Sequence, residues 1–305
     1  MNSSREWSVS VILPCRNEAE SLGPLLQKIR NILPQAEIIV VDDGSTDASV
    51  EVCQSQQVRV ISHPYGMGNG AAIKTGARHA SGDILVFLDA DGQHDPDVIP
   101  SFLRKMEQGY DMVVGARRPA SQASMFRRLA NAIYNRMASY MTGFTIQDLT
   151  SGFRAVRARH FVKFLYLMPN GFSYPTTSTM AFFRSGLPVG YLPMEAAPRQ
   201  GKSHIKLLKD GIRFFVIILK VGALFSPMRL FLPIALGLFL LGLGYYGYTY
   251  FVFQRFTNMS ALVFLSSLLT LLIGLISEQI SSLHYKGIDE DARRTKRFHN
   301  HTTQK

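Results

Sequence analysis

Cysteine is nearly absent from this 305-residue chain: Cys15 and Cys53 stand alone, with no CxxC spacing. That excludes a disulfide framework and suits two reduced, buried residues in a cytosolic domain. The opening MNSSREWSVSVILPCRNE has an apolar run too short for a signal peptide, and Pro14 breaks it. Acids are in the minority, 22 Asp and Glu against 33 Lys and Arg, for a net charge of +11. Such a chain seeks nucleic acid, anionic lipid or phosphorylated substrates. No nucleic-acid recognition module is present, so nucleic acid is not expected as a partner.

Charge is missing altogether from two stretches, Leu230 to Phe253 and Phe256 to Ser277. Each exceeds the roughly twenty residues needed to cross about 30 Å of hydrocarbon. Arg255 and Asn258 sit in the short link, and Tyr245, Tyr246, Tyr248 and Tyr250 gather near the far end of the first run, as interfacial aromatics do. Lys and Arg crowd before the first run and after the second (Lys286, Arg293, Arg294, Lys296, Arg297). The positive-inside rule then predicts a multi-pass protein of the inner, cytoplasmic membrane or its equivalent, with both termini in the cytoplasm. Ahead of the runs, residues 199–229 hold one acid, Asp210; Lys206, Arg213 and Lys220 recur every seven residues opposite Ile205, Leu208, Ile212, Phe215 and Leu219. This is the pattern of an amphipathic helix lying in the membrane interface. Glu278 and Gln279, at the inner end of the second span, are candidates for the interface or for a partner helix.

The first half alternates strands and helices. SVSVIL (8–13), EIIVV (37–41), residues 58–62, ILVFL (84–88) and DMVVGA (111–116) read as strands, with helices over 20–32, after Gly68 and over 96–107. Such alternation gives a mostly parallel sheet with helices on both faces, and ligands collect at the carboxyl ends of its strands. Those ends carry Asp43, Asp89, Asp91 and Arg117. Period-two alternation would point Asp89, Asp91 and Gln93 the same way, making an oxygen-rich site for Mg²⁺ or Mn²⁺. A helix-capping acidic turn at Asp95-Pro96 is the plainer alternative. Gly66-x-Gly68-x-x-Ala71 matches a loose dinucleotide fingerprint but follows the third strand, so nicotinamide and flavin are not expected. Asp148, Ser151 and Arg154 form a polar knot, which a turn capped by the Asp side chain would also explain.

PCRNE (14–18), VVDDGSTD (40–47), GNGAAIKTGA (68–77), LDADGQHDP (88–96), GARR (115–118), QDLTSGFR (147–154) and RQGKSH (199–204) together resemble family 2 glycosyltransferases. More narrowly they resemble the dolichyl- or polyprenyl-phosphate mannosyl- and glucosyltransferase branch, over about residues 8–225. The resemblance implies an α/β glycosyltransferase A-type domain (1–198), followed by the interfacial helix (199–229), two transmembrane helices (230–283) and a basic tail (284–305). It implies an inverting transfer of one hexose from a GDP- or UDP-sugar to polyprenyl phosphate. By the same resemblance Pro14, Arg16, Glu18, Asp43 and Asp89 bind the nucleotide-sugar, and Asp89, Asp91 and Gln93 hold the metal. Arg117 meets the phosphates, Asp91, Arg117 and Asp148 are the catalytic candidates, and Arg154, Arg199, Ser203 and His204 approach the acceptor. Many relatives carry an aromatic at Arg16 and Lys at His204. A hydroxyl-bearing lipid acceptor and a non-catalytic membrane relative are the alternatives; oligomeric state stays open. A processive polysaccharide synthase is disfavoured, since Trp7 is the only tryptophan and no Gln-x-x-Arg-Trp motif exists.

Overall fold

The computed structural model describes residues 7–117, 125–171, 173–194, 220 and 222–302, without side chains for 125–130 and 284–302. The basic stretch 199–219, with Arg199, Ser203 and His204, and also Arg118, lie outside the described residues. The chain divides into two units, Met1–Ala138 with Phe144–His204, and Ser139–Gly143 with Ile205–Lys305.

In the first unit the apolar runs become β1 (Val9–Cys15), β2 (Glu37–Asp42), β3 (Arg59–Ser62), β4 (Ile84–Phe87) and β5 (Met112–Arg117), joined by α1 (Ala19–Ile32), α2 (Ser49–Ser55), α3 (Asn69–His79) and α4 (Ile99–Glu107). Then come α5 (Met125–Thr142), β6 (Arg154–Arg157), α6 (Ala158–Phe161), a 3-10 stretch over 162–167, α7 (Tyr174–Arg184) and β7 (Val189–Met194). The seven strands lie in the order β3-β2-β1-β4-β6-β5-β7. Every pairing is parallel except those of β6, which runs against β4 and β5.

The core follows from two-sided burial. Val11, Leu13, Val40 and Val86 meet Leu22, Leu26 and Ile29 of α1, Cys53 of α2 and Phe102 and Met106 of α4 on one face. Ile39 and Val41 meet Ala72 of α3 on the other. Strands covered on both faces are apolar throughout, and each buried aliphatic side chain contributes about 1.5–3 kcal/mol. β4 lies between β1 and β6, so its carboxyl end opens in the middle of the sheet edge rather than at a frayed border.

The second unit contains α8 (Pro227–Phe253) and α9 (Asn258–Thr302). α8 and residues Asn258–Leu283 of α9 are each long and apolar enough to cross a membrane. Gln254 ends α8 in the left-handed conformation, φ 51°, which turns the chain back. Phe239 packs on Phe264 at 5.6 Å, and Ser267 Oγ donates to Ala235 O at 2.8 Å. α9 continues to Thr302, so the segment expected as a tail from 284 is helical over most of its length.

Glu278 has a specific task in this hairpin. Its Oε2 accepts from Met228 N at 3.2 Å, in the first turn of α8, where backbone N–H groups lack helical partners. Glu278→Ala should therefore destabilise the hairpin by about 1 kcal/mol, with Glu278→Gln in between. Thermal unfolding in detergent checks this, and an unchanged midpoint for the alanine variant would remove the capping role.

Candidate active site

The strand ends of the first unit surround a cleft of about 520 Å³. Pro14, Arg16, Glu18, Asp43, Asp89, Asp91, Gln93 and Arg117, all singled out in the sequence, line it. They come from the ends of β1, β2, β4 and β5, neighbours or near-neighbours in the sheet. Cys15, Gly68, Asn69, Ala72, Ala90, Thr150, Gly152, Tyr174 and Pro175 complete the wall. Burial pushes the Cys15 thiol up to about 11, so it stays protonated near neutrality and adds bulk rather than a nucleophile.

The expected alternation of Asp89, Asp91 and Gln93 is corrected by the backbone. β4 ends at Phe87, and residues 90–92 turn. Asp91 Oδ1 accepts from Gln93 N at 3.1 Å, and Ser21 Oγ of α1 pins the turn by donating to Ala90 O at 2.7 Å. The three side chains thus share the cleft through a turn, which period-two reasoning does not describe. The capping alternative also holds, one step further on. Asp95 Oδ1 accepts from Asp97 N at 3.0 Å, and Lys28 pairs with Asp95 and Asp97 at 2.7 and 2.9 Å.

Burial, with the charge of Asp91, pushes the Asp89 carboxyl above the usual Asp range. Among the described residues one long contact, from Asn69 Nδ2 at 3.5 Å, donates to it. Gly152 explains how it reaches the cleft: a Cβ there would stand 3.0 Å from Asp89 Oδ2 and 3.3 Å from the Tyr174 hydroxyl. Behind the turn His94, 8% exposed, packs on Phe153 at 5.3 Å, and its buried Nδ1 has no hydrogen-bond partner among the described residues. Among the described residues no three His, Cys, Asp or Glu converge on one point. A divalent cation here would draw on two carboxylates and the Gln93 amide oxygen, with phosphate oxygens completing the shell. Hard oxygens with mutual repulsion to relieve suit Mg²⁺ or Mn²⁺.

Across the cleft Arg117 is held by Asp148. Nε donates to Oδ2 at 2.8 Å, Nη2 to Oδ1 at 3.0 Å and to Thr150 Oγ1 at 2.5 Å, while the Arg117 backbone N donates to Oδ2 at 3.2 Å. Nη1 keeps its two N–H groups free of partners among the described residues. Asp148 Oδ1 also accepts from Thr150 N at 3.0 Å and Ser151 N at 3.1 Å. Burial works to raise the Asp148 carboxyl, but the hydrogen bonds and charge of Arg117 outweigh it and hold it below the usual range. Asp148 is 4% exposed and does not line the cleft.

Arg154 requires a correction. Expected at the acceptor, it is fully buried, 0% exposed. Nη1 donates to Pro175 O at 2.9 Å, Ser178 Oγ at 2.8 Å and Thr179 Oγ1 at 3.0 Å, and Nη2 donates to Ser151 O. Its strand register turns it inward, onto α7, where it supports the wall formed by Tyr174 and Pro175. Sequence reasoning also missed that wall, because α7 presents no charged signature.

Residues 10–165 match the family described as glycosyl transferase family 2. The chain belongs to that family. Residues 226–283 match the GtrB C-terminal hairpin. A curated relative, the undecaprenyl-phosphate 4-deoxy-4-formamido-L-arabinose transferase of Photorhabdus laumondii subsp. laumondii, is 38% identical over 165 residues, 51% of this chain and 50% of that protein. The chain thus matches about half the length of this relative. Among solved structures, glucosyl-3-phosphoglycerate synthase from Mycobacterium tuberculosis with Mn²⁺, UDP and glucosyl-3-phosphoglycerate aligns with TM-score 0.57 at 19% identity, over 71% of this chain and 78% of that one. Its complex with Mn²⁺ and UDP-glucose gives 0.56 at 21% identity, over the same shares. These structural likenesses show a shared fold.

Arg154→Met should lower stability by about 3 kcal/mol or more, since it strands buried acceptors. Residual folded enzyme should keep its acceptor KM. A stable variant with a raised acceptor KM would return Arg154 to the ligand.

Proposed function

We propose that the chain is a membrane-bound, metal-dependent, inverting glycosyltransferase. It moves one hexose from a GDP- or UDP-sugar to polyprenyl phosphate on the cytoplasmic face. The observation that carries this reading is the cleft in which Asp89, Asp91 and Gln93 face Arg117, in a chain that also holds a membrane-length hairpin. The acceptor in that relative's name, undecaprenyl phosphate, supports the lipid side.

In this reading Asp89, Asp91 and Gln93 would hold Mg²⁺ or Mn²⁺, whose charge would offset that of a departing nucleoside diphosphate. Pro14, Arg16, Glu18 and Asp43 take the base and ribose. Arg117 directs its free Nη1 at phosphate oxygens, and Asp148 acts through it by fixing the guanidinium plane. Arg199, Ser203 and His204, outside the described residues, remain the proposed acceptor contacts. A phosphate monoester with its second pKa near about 6 is mostly a dianion at neutrality. It attacks the anomeric carbon without a strong base, and bringing two anions together is the larger task.

Purified full-length protein should release nucleoside diphosphate only with Mn²⁺ or Mg²⁺ and polyprenyl phosphate both present. Asp91→Asn should cut the rate on the order of a hundredfold, as even outer-shell losses cost about 10–100-fold. Release without lipid, or an unimpaired Asp91→Asn, would sink the reading.

The pH profile separates acceptor classes. With a phosphate acceptor, kcat/KM falls on the acid side near about pH 6 in both wild type and Asp148→Asn, the variant being slower throughout because Arg117 is released. An acid limb that vanishes in Asp148→Asn would point instead to a hydroxyl acceptor with Asp148 as base. Stability depends on the same carboxylate. Because the folded carboxyl lies below its unfolded value of about 3.9, its contribution is present above that pH and is lost as pH falls through the folded value. Asp148→Asn should flatten that part of the acid unfolding curve.

A further inference from the structure

Behind the cleft wall a buried histidine is engaged at both ring nitrogens. His63 follows β3, and its side chain is 7% exposed. Nδ1 lies 2.8 Å from Asp43 Oδ1, and Nε2 lies 2.9 Å from Thr75 Oγ1 of α3. Because a carboxylate only accepts, Nδ1 carries the proton, and in the neutral ring the Thr75 hydroxyl donates to Nε2. The same carboxylate accepts from Met67 N at 2.7 Å on Oδ1 and from Gly68 N at 2.8 Å on Oδ2. Three donors thus fix its plane. Both acceptor directions of Oδ1 are taken, and Oδ2 keeps one among the described residues.

The loop that supplies two of those donors also bears a cleft residue. A Cβ on Gly66 would stand 2.7 Å from Arg16 Cζ, so the Arg16 guanidinium rests on this loop. His63 N donates to Asp42 O at 2.8 Å, which ties the start of the loop to the end of β2. An Asp–His–Thr chain invites comparison with a nucleophile relay. Neither His63 nor Thr75 lines the cleft, so such a relay would have no substrate to act on.

We propose that His63, backed by Thr75, is a positioning residue for the donor nucleotide. It locks Asp43 so that the remaining acceptor site of Oδ2 is held ready for a hydrogen-bond donor of the base or ribose. It also keeps residues 65–68 in place beneath Arg16. The inference rests on the cleft being the donor site.

The test uses the purified full-length chain with His63→Phe, His63→Asn and Thr75→Val. UDP and GDP with Mn²⁺ are titrated calorimetrically, and hydrogen exchange is followed over residues 63–68. Phe fills the space but cannot donate, so nucleotide affinity and donor KM should worsen about tenfold while kcat at saturating donor holds within about twofold. Exchange at Met67 and Gly68 should quicken. Asn restores an N–H donor and should recover affinity to within about threefold of wild type, and Thr75→Val should lose about threefold. A Phe variant that binds like wild type, or one that loses kcat at unchanged KM, overturns the proposal alone. Equal weakening by Phe and Asn also overturns it, since bulk rather than the hydrogen bond would then matter. Wild-type protein that binds neither diphosphate overturns the donor-site reading and this inference with it.

Discussion

Two carboxylates side by side in a half-buried cleft repel each other, and burial removes the water that would soften the repulsion. Asp89 shows the result: burial above all, with the charge of Asp91 added, pushes its carboxyl above the ordinary range. A chain free to relax would part the two groups. Here it cannot: β4 is clamped between β1 and β6, Ser21 ties the turn to α1, and Lys28 fixes the exit by pairing with Asp95 and Asp97. The well-packed core thus sustains a local charge arrangement that is unfavourable on its own. It would become favourable if a divalent cation and a diphosphate shared it, which is the logic of the proposed donor site.

The opposite wall is built on compensated charge. Arg117 and Asp148 satisfy one another with two-pronged geometry, and this leaves Nη1 aimed at nothing else among the described residues. Arg154 lies deeper and, among the described residues, meets no carboxylate within hydrogen-bond reach, only carbonyls, hydroxyls and the Met112 thioether, while its buried Nε finds no acceptor. A guanidinium tolerates this because its five donors fit several neutral acceptors at once. It pulls Pro175 and Ser151 toward one point, bringing α7 alongside the turn after Asp148. The α3 end is fastened separately. Lys74 Nζ reaches Asn170 Oδ1 at 2.5 Å and Met168 O at 3.1 Å, and Ala71 N donates to Asn170 O at 3.1 Å.

These fastenings explain what a linear reading reaches and what it does not. Charges at strand ends were legible because a parallel sheet delivers every carboxyl end to one edge, whatever the exact register. The hairpin was legible because only apolar length is needed. Arg154 was misplaced because motif proximity says nothing of side-chain direction: Asp148 sits in a turn, whereas six residues later the chain has entered β6 and Arg154 points into the core. Tyr174 and Pro175 were missed since the contacts that bring them to the cleft are long-range. His63 carries no signal in the sequence; its value appears only when β2, the loop after β3 and α3 meet.

The state of Asp148 bears on which acceptor chemistry the cleft suits. A general base works best when its pKa lies near the working pH, and the Arg117 pairing moves Asp148 the other way. To take a proton from a hydroxyl, Asp148 would have to give up part of its hold on Arg117 at the moment when diphosphate charge is greatest. A phosphate acceptor imposes no such conflict, because it arrives already ionised and the carboxylate can keep the arginine in place throughout. The same pairing that makes Asp148 a poor base therefore makes it a good clamp, and favours an anionic lipid headgroup over an alcohol.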